Sequence, residues 1–273
     1  MSISVVILTL NEEKTLPDTL ASLRGLCDDV VVFDSYSTDA TCSIARETGA
    51  RVVQRRFDNY AGQRQAAISE VTYKHSWILM QDADERMDPN LWSEMIRRVI
   101  EAAPDTAIFR FRRKDHFMGK WIKHSSGYPT WFGRLIRVGH ARVERSVNEE
   151  YVTDGNVEHL DGHLLHFPFE RGLAHWIDRH NRYSTMEASI IVREALEMTR
   201  VGELFSPDPV RRRKALKSLG YKVPFRPLLT FVYIYVLRGG FLDGYPGFCY
   251  CVLRSVYEFF IDLKKTELQK EMR

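Results

Sequence analysis

Cysteine is sparse, with only Cys27, Cys42, Cys249 and Cys251 in 273 residues. A disulfide framework would be denser and the chain smaller, and none of the spacings is that of a zinc or haem site. The four read as reduced thiols of a cytosolic protein. No glycine-rich phosphate loop follows the first apolar run, where "TLNEEKT" (9–15) stands instead. That counts against a nucleotidyltransferase. Charge of one sign is also missing. The formal net charge is +3, which gives no support to wholesale nucleic-acid binding. No apolar run reaches the roughly 20 residues of a spanning helix. The start, "MSISVVILTLNEE", has no positive n-region and an apolar run of strand length, so it does not read as a signal peptide. Internal repeats and low-complexity tracts are lacking as well.

What is present is alternation. Apolar residues make up 44% of the chain, enough for one large domain or a domain with an appendage. "ISVVILTL" (3–10), "DVVVFD" (29–34), "ARVVQRR" (50–56) and "SWILMQD" (76–82) are short, β-branched strands. Between and after them, 15–26, 37–49, 59–71 and 88–103 read as helices, with Thr15 a possible cap and Gly49 a stop. Such βαβα order predicts a parallel sheet covered on both faces. After Pro104 the pattern changes. Residues 106–119 and 131–139 alternate as antiparallel strands, 120–130 reads as a mobile loop, and 170–199 reads as helix.

In such sheets ligands bind beyond the carboxyl ends of the strands. Three polar clusters fall there: "TLNEE" (9–13), "DSYSTD" (34–39) and "DADE" (82–85). Each alone reads as a solvated turn. Together they gather repelling carboxylates at one edge, which calls for a cation. Asp82 and Asp84 can supply hard oxygens to Mg²⁺ or Mn²⁺, and such ions complete their shell with phosphate oxygens.

These blocks, "SVVILTLNEEKTLPDTLASL", "VVVFDSYSTDATCSIA" and "WILMQDADE", resemble the signatures of family 2 inverting glycosyltransferases over roughly residues 3–103. "RLIR", "VNEE", "LLHFPF" and "HNRYSTMEA" resemble the lipopolysaccharide core glucosyltransferase branch, except that Asn148 stands where His is usual. The resemblance implies a GT-A fold, α/β and Rossmann-like with a mostly parallel central sheet, followed by a helical extension. Residues 1–200 would be the transferase domain, with a nucleotide-sugar half (1–104) and an acceptor half (105–200). Residues 201–273 would be the extension. Thr9, Asn11, Glu12 and Asp34 would hold the nucleoside, Asp34 near the uracil. Arg64 and Arg134 would face the diphosphate, Asp82 the ribose, and Asp84 the metal. Glu149 would be the general base. The implied partners are a nucleotide sugar, UDP-glucose in the first place, and a saccharide or lipid-linked acceptor.

Duller readings stand beside these. Asp34 could merely cap the second helix. Glu12 could be first-turn charge, Arg64 a surface residue, and Glu150 rather than Glu149 the base. His166, in "HLDGHLLHF", reads first as a satisfied structural histidine on a strand, and second as a neighbour of the nucleotide or cation. Trp121, Tyr128, Trp131 and Phe132 divide between core and a stacking surface for sugar.

The last third carries a basic cluster, "VRRRKALKSLGYK" (210–222), and two apolar runs within 227–265. The expectation is peripheral contact with the inner face of the cytoplasmic membrane. A packed subdomain or a homo-oligomer contact is the alternative. A non-catalytic, membrane-tethered nucleotide binder is the rival function.

Overall fold

A computed structural model of the chain describes residues 3–144, 150–196 and 225–271. Glu149 and the basic cluster 210–222 lie outside the described residues. In chain order the first elements are β1 (Ile3–Thr9), α1 (Leu16–Leu23), β2 (Val30–Asp34), α2 (Thr41–Glu47), β3 (Arg51–Gln54), α3 (Tyr60–Glu70), β4 (Trp77–Asp82), β5 (Glu85–Arg86) and α4 (Pro89–Glu101). Then come β6 (Thr106–Phe117), β7 (Lys120–Trp121), β8 (Trp131–Arg137), β9 (Arg142–Glu144), β10 (Glu150–Val152), β11 (Asn156–His166) and α5 (Leu173–Leu196). The last are α6 (Arg226–Val232), a π-helical stretch Tyr233–Leu237, a 3₁₀ turn Gly240–Asp243, and α7 (Gly244–Glu271).

Two compact units result. The first comprises Met1–His116 and Tyr128–Glu170, and the second Phe117–Gly127 and Arg171–Arg273. The division falls at Glu170, and within the second unit α5 packs along α7.

In the first unit the strand order is β3-β2-β1-β4-β8-β6-β11-β5. β3, β2, β1 and β4 run parallel, as the βαβα alternation predicted. β8 runs against both β4 and β6, and β11 runs with β6. So β6 and β11 point the same way as β4. The carboxyl ends of all these strands reach one edge, and β8 begins there. Register levels the edge: Thr9 pairs with Asp34, Leu8 with Asp82, and Asp115 with His166.

The strand period of two sorts the core into two layers. Val5, Ile7, Val32, Phe109 and Phe111 face α1 and α4. Val6, Val31, Phe33, Ile78 and Met80 face α3 through its small residues Ala66 and Ala67. Each fully buried Val, Ile or Phe contributes about 1.5–3 kcal/mol. Two helices are capped by side chains. Asn59 Oδ1 accepts from Gly62 N at 2.7 Å at the start of α3, and Asp88 Oδ1 accepts from Asn90 N at 2.8 Å before Pro89 of α4. Thr15 occupies the cap position of α1 without a capping bond, since its hydroxyl donates to Glu12 Oε2 at 2.7 Å. α2 starts at Thr41 rather than at 37, because Ser37–Asp39 are bound into the site described below.

In the second unit α5 and α6 pack on α7. Buried Asp243 accepts from His124 N, Ser125 N and Ser125 Oγ at 2.7–2.9 Å. The 120–130 stretch, expected to be a mobile loop, is therefore anchored at its middle by one carboxylate. No helix among the described residues is long and apolar enough to cross a membrane.

Candidate active site

The edge of the sheet holds two clusters. In the first, loops after β1 and β2 are stitched together by short polar side chains. Asp34 is fully buried, and four donors fill its roughly four lone-pair positions. Thr9 Oγ1 and Ser37 Oγ donate to Oδ1, the first at 2.9 Å. Ser37 N and Gln54 Nε2 donate to Oδ2 at 2.9 and 3.1 Å. Burial works against the charge on Asp34, but the bonds from Ser37 and Gln54 outweigh it and hold the carboxyl below its usual range. Asn11 takes a left-handed backbone, φ 56°, which Asn tolerates better than most residues. Its Oδ1 accepts from Thr38 N at 2.8 Å, and its own N–H donates to Ser37 Oγ at 2.8 Å. Glu12 N donates to Thr41 Oγ1 at 2.7 Å.

The second cluster is ionic. Asp82 accepts from Arg64 Nη2 at 2.9 Å on one oxygen and from Arg134 Nη2 at 2.8 Å on the other. Glu85, fully buried, accepts twice from Arg134 Nη1, at 2.8 and 2.7 Å, and from Arg113 Nη1 at 3.2 Å. It also accepts from Asp82 N at 2.9 Å, which ties the two acids into one turn. Arg113 Nε donates to Asp115 Oδ1 at 3.0 Å, and Arg64 Nη1 to the Tyr151 hydroxyl at 3.3 Å. Burial opposes ionisation of Asp82, yet Arg134 and Arg64 hold it well below the carboxylate range. Burial likewise opposes the charge of Arg113, and Asp115 and Glu85 keep it protonated. Charges this close in a buried place persist only because each meets an opposite one.

His166 closes the cluster. Its Nδ1 lies 2.6 Å from Asp115 Oδ1 and its Nε2 lies 3.4 Å from Asp84 Oδ2. Burial and Arg113 oppose a proton on this ring, but Asp84 and Asp115 outweigh them and push it up to about 9. His166 thus has both ring nitrogens satisfied, and it stands between two acids at the sheet edge.

Thr9, Asn11, Glu12 and Asp34 are brought together as expected, and so are Arg64, Asp82, Asp84 and Arg134. The capping reading of Asp34 does not hold, because α2 starts seven residues further on, after Ala40. Glu12 serves locally, accepting from Thr15. Glu85, Arg113, Asp115, His166 and Tyr151 also reach this edge; the sequence reading placed Glu85 in the third polar cluster, kept His166 beside the nucleotide or cation as its second reading, and assigned no role to Arg113 or Tyr151. One signal was available. The faces of β6 and β11 that bury Phe109, Phe111, Leu160 and Leu164 run on to Arg113, Asp115 and His166. An apolar alternation that ends in charge marks the strand end that meets the site.

An α/β sheet with this strand order, its acidic and basic residues collected at the carboxyl edge, has the GT-A type of architecture. The chain belongs to glycosyl transferase family 2, whose family model matches residues 4–155, and it is a glycosyltransferase. It is 29% identical over 269 residues to the lipopolysaccharide core biosynthesis glycosyltransferase LpsC of Rhizobium meliloti, covering 95% of this chain and 90% of that protein. It is 23% identical to an uncharacterized glycosyltransferase of Rickettsia typhi, over 99% of this chain and 89% of the other. Among solved structures it is similar to glucosyl-3-phosphoglycerate synthase of Mycobacterium tuberculosis in complex with Mn²⁺, UDP and glucosyl-3-phosphoglycerate. There the TM-score is 0.35 and the identity 22%, over 42% of this chain and 44% of that one. The match thus spans less than half of the solved protein's length.

Proposed function

We propose that this glycosyltransferase moves a hexose, glucose in the first place, from a UDP-sugar to a lipopolysaccharide-core or lipid-linked saccharide, with inversion and with a divalent cation. It would work in the cytoplasm, peripherally at the inner face of the cytoplasmic membrane. The carrying observation is the ionic cluster, in which Asp82, Asp84, Glu85 and Asp115 meet three arginines and His166 at the carboxyl edge. Similarity to LpsC along nearly the whole chain supports the acceptor class.

The residues fit a bound Mg²⁺ or Mn²⁺. Among the described residues no three His, Cys, Asp or Glu side chains close a cage around a metal. A nucleotide-bound cation does not need one, since Mg²⁺ commonly takes one or two protein ligands and fills its shell with water and phosphate. Asp84 would form such an edge, joined by His166 Nε2 once its proton is displaced. Asp115 on Nδ1 orients the ring, as carboxylates do behind metal-binding histidines. When bound, the cation neutralises charge on the leaving diphosphate.

The chain's own residues do the rest. Thr9, Asn11, Glu12 and the Asp34 turn would hold the nucleoside, and Asp82 the ribose. Arg64 and Arg134, already desolvated on Asp82, would meet the diphosphate by exchanging part of that pairing. Glu149, one residue before β10 and outside the described residues, would take the acceptor hydroxyl proton. The acceptor oxygen then bonds to the anomeric carbon as the bond to UDP breaks, and UDP leaves with the electron pair.

A thermal-shift panel of nucleotide sugars, with and without Mn²⁺, tests the donor. UDP-glucose with Mn²⁺ is expected to raise the melting temperature most, because ligands that bind the folded state stabilise it by mass action. Equal shifts in EDTA, or none with any UDP-sugar, would contradict the reading.

A further inference from the structure

The last two helical segments carry apolar residues outside as well as inside. A helix of a water-soluble domain turns its apolar stripe inward and its charges outward. α7 instead buries Gly247, Cys251, Glu258 and Ile261. Its Glu258 is ion-paired with Arg226. On its exposed face stand Tyr245, Phe248, Val252, Val256, Phe259 and Leu263, spaced by three and four residues. The preceding segment repeats the pattern. Leu228, Leu229, Val232, Tyr233, Val236 and Leu237 are all exposed, at i, i+1, i+4, i+5, i+8 and i+9, while Ile234 is buried. α6 packs on α7. The two stripes therefore belong to one helical pair, and Leu237 and Tyr245 remain 74% and 69% exposed. Scattered surface apolar residues need no explanation, but two stripes at helical spacing mark a face that something covers.

We propose that this helical pair is an interfacial docking face for an anionic lipid bilayer, lying in the headgroup layer without crossing it. The proposal deepens the peripheral placement in the reading above and rests on it. The charge that points to lipid lies in the sequence just before the pair. Residues 225–263 contain three arginines and three acids, and Arg226 and Arg254 pair with Glu258, so the pair itself is near neutral. The segment directly before Phe225 carries six Lys or Arg and no acid across 210–222. A run of basic residues next to an apolar stripe in the sequence matches anionic headgroups. Tyrosines within the stripes suit the boundary between headgroups and acyl chains. The length also fits, since no described helix can span a bilayer.

Flotation of the full chain with vesicles of phosphatidylcholine, alone or mixed with phosphatidylglycerol, tests this. Wild type is expected to float with the anionic vesicles. Leu237→Glu, Leu242→Glu and Tyr245→Glu together should weaken binding by at least about tenfold, since each puts a charge into the apolar layer. Reversing Arg211, Arg212, Arg213 and Lys214 to Glu should cost about tenfold at low salt and little at high salt. Tyr245→Trp should add a blue-shifted emission component on addition of vesicles. Absence of wild-type flotation, or flotation unchanged in the triple variant, overturns the proposal. So does a dimer in vesicle-free buffer that the triple variant converts to monomer. Thermal stabilisation by UDP-glucose, measured on the same proteins, separates the two readings. Stabilisation without flotation defeats the docking face and the peripheral placement but leaves the nucleotide-sugar reading, and flotation without stabilisation defeats only the nucleotide-sugar reading.

Discussion

The sheet edge and the terminal helices depart from ordinary side-chain partition in opposite directions. At the edge, charge goes inward: Glu85 is fully buried, and Asp82, Arg64, Arg134 and His166 are largely so. In the helices, apolar surface goes outward while Glu258 lies inside. Buried ion pairs seldom stabilise a fold beyond what apolar residues would do, and exposed apolar stripes do not stabilise it at all. The difference teaches what each region is for. The edge holds charges ready for a charged ligand that is small enough to enter. The helices keep an apolar face for something too large to be enclosed.

The largest expected effect lies at the base. Glu149→Gln keeps shape but cannot accept a proton at neutral pH, so turnover on the true acceptor should fall about 10²–10⁴-fold. Donor affinity should stay near wild type, and Glu150→Gln should do much less. Near-normal turnover in Glu149→Gln would move the base elsewhere, with Glu150, Asp115 and Asp154 next in line. Asp115 is the weakest of these, because its carboxylate already serves Arg113 and His166.

Next is Asp84→Ala, which leaves His166 without that carboxylate and the diphosphate without its cation. Turnover should drop on the order of 10²–10³-fold, the usual size of one lost electrostatic contact in a transition state. Donor binding measured by calorimetry should weaken with it. Retained Mn²⁺-dependent donor binding would remove Asp84 from the metal role.

Glu85→Gln probes the buried charge itself. It leaves Arg134 and Arg113 short of a counter-charge in a dry place, a loss of about 3–5 kcal/mol when one partner of a buried pair is removed. Urea unfolding should show it. An unchanged midpoint would mean that water reaches the edge freely, and the contrast between the two regions would then weaken. The smallest effect belongs to Asn59→Ala, which uncaps the helix carrying Arg64. About 1 kcal/mol of stability should go, the usual worth of a cap, with turnover changed only a few-fold.

Much of this was legible in the chain. The parallel half of the sheet followed from four β-branched runs alternating with helical stretches, because local period and turn chemistry dominate there. Thr9, Asp34, Asp82 and Asp84 were legible for the same reason, each standing where a strand ends. Arg113 and Asp115 were not, and His166 only as a second reading. They come from strands whose partners lie 28 to 82 residues away in sequence, and register rather than local pattern brings them to the edge. Asp243 shows the same limit. Its role as acceptor for residues 124–125, more than a hundred positions earlier, has no local signature. The apolar runs of 227–265 were plain to see, but which way they faced was not, because the sequence marks a stripe and only packing decides whether it turns inward.

The central claim is cation-assisted transfer from a UDP-sugar at the Asp82–Glu85 edge. Its most direct test is UDP release from UDP-glucose by the purified full chain with a lipopolysaccharide-core acceptor, in Mn²⁺, in excess EDTA, and after Mn²⁺ is restored. Release that requires acceptor, disappears in EDTA and returns with Mn²⁺ is the predicted result. Release at the same rate in EDTA, or none in Mn²⁺ with any UDP-hexose, would contradict it.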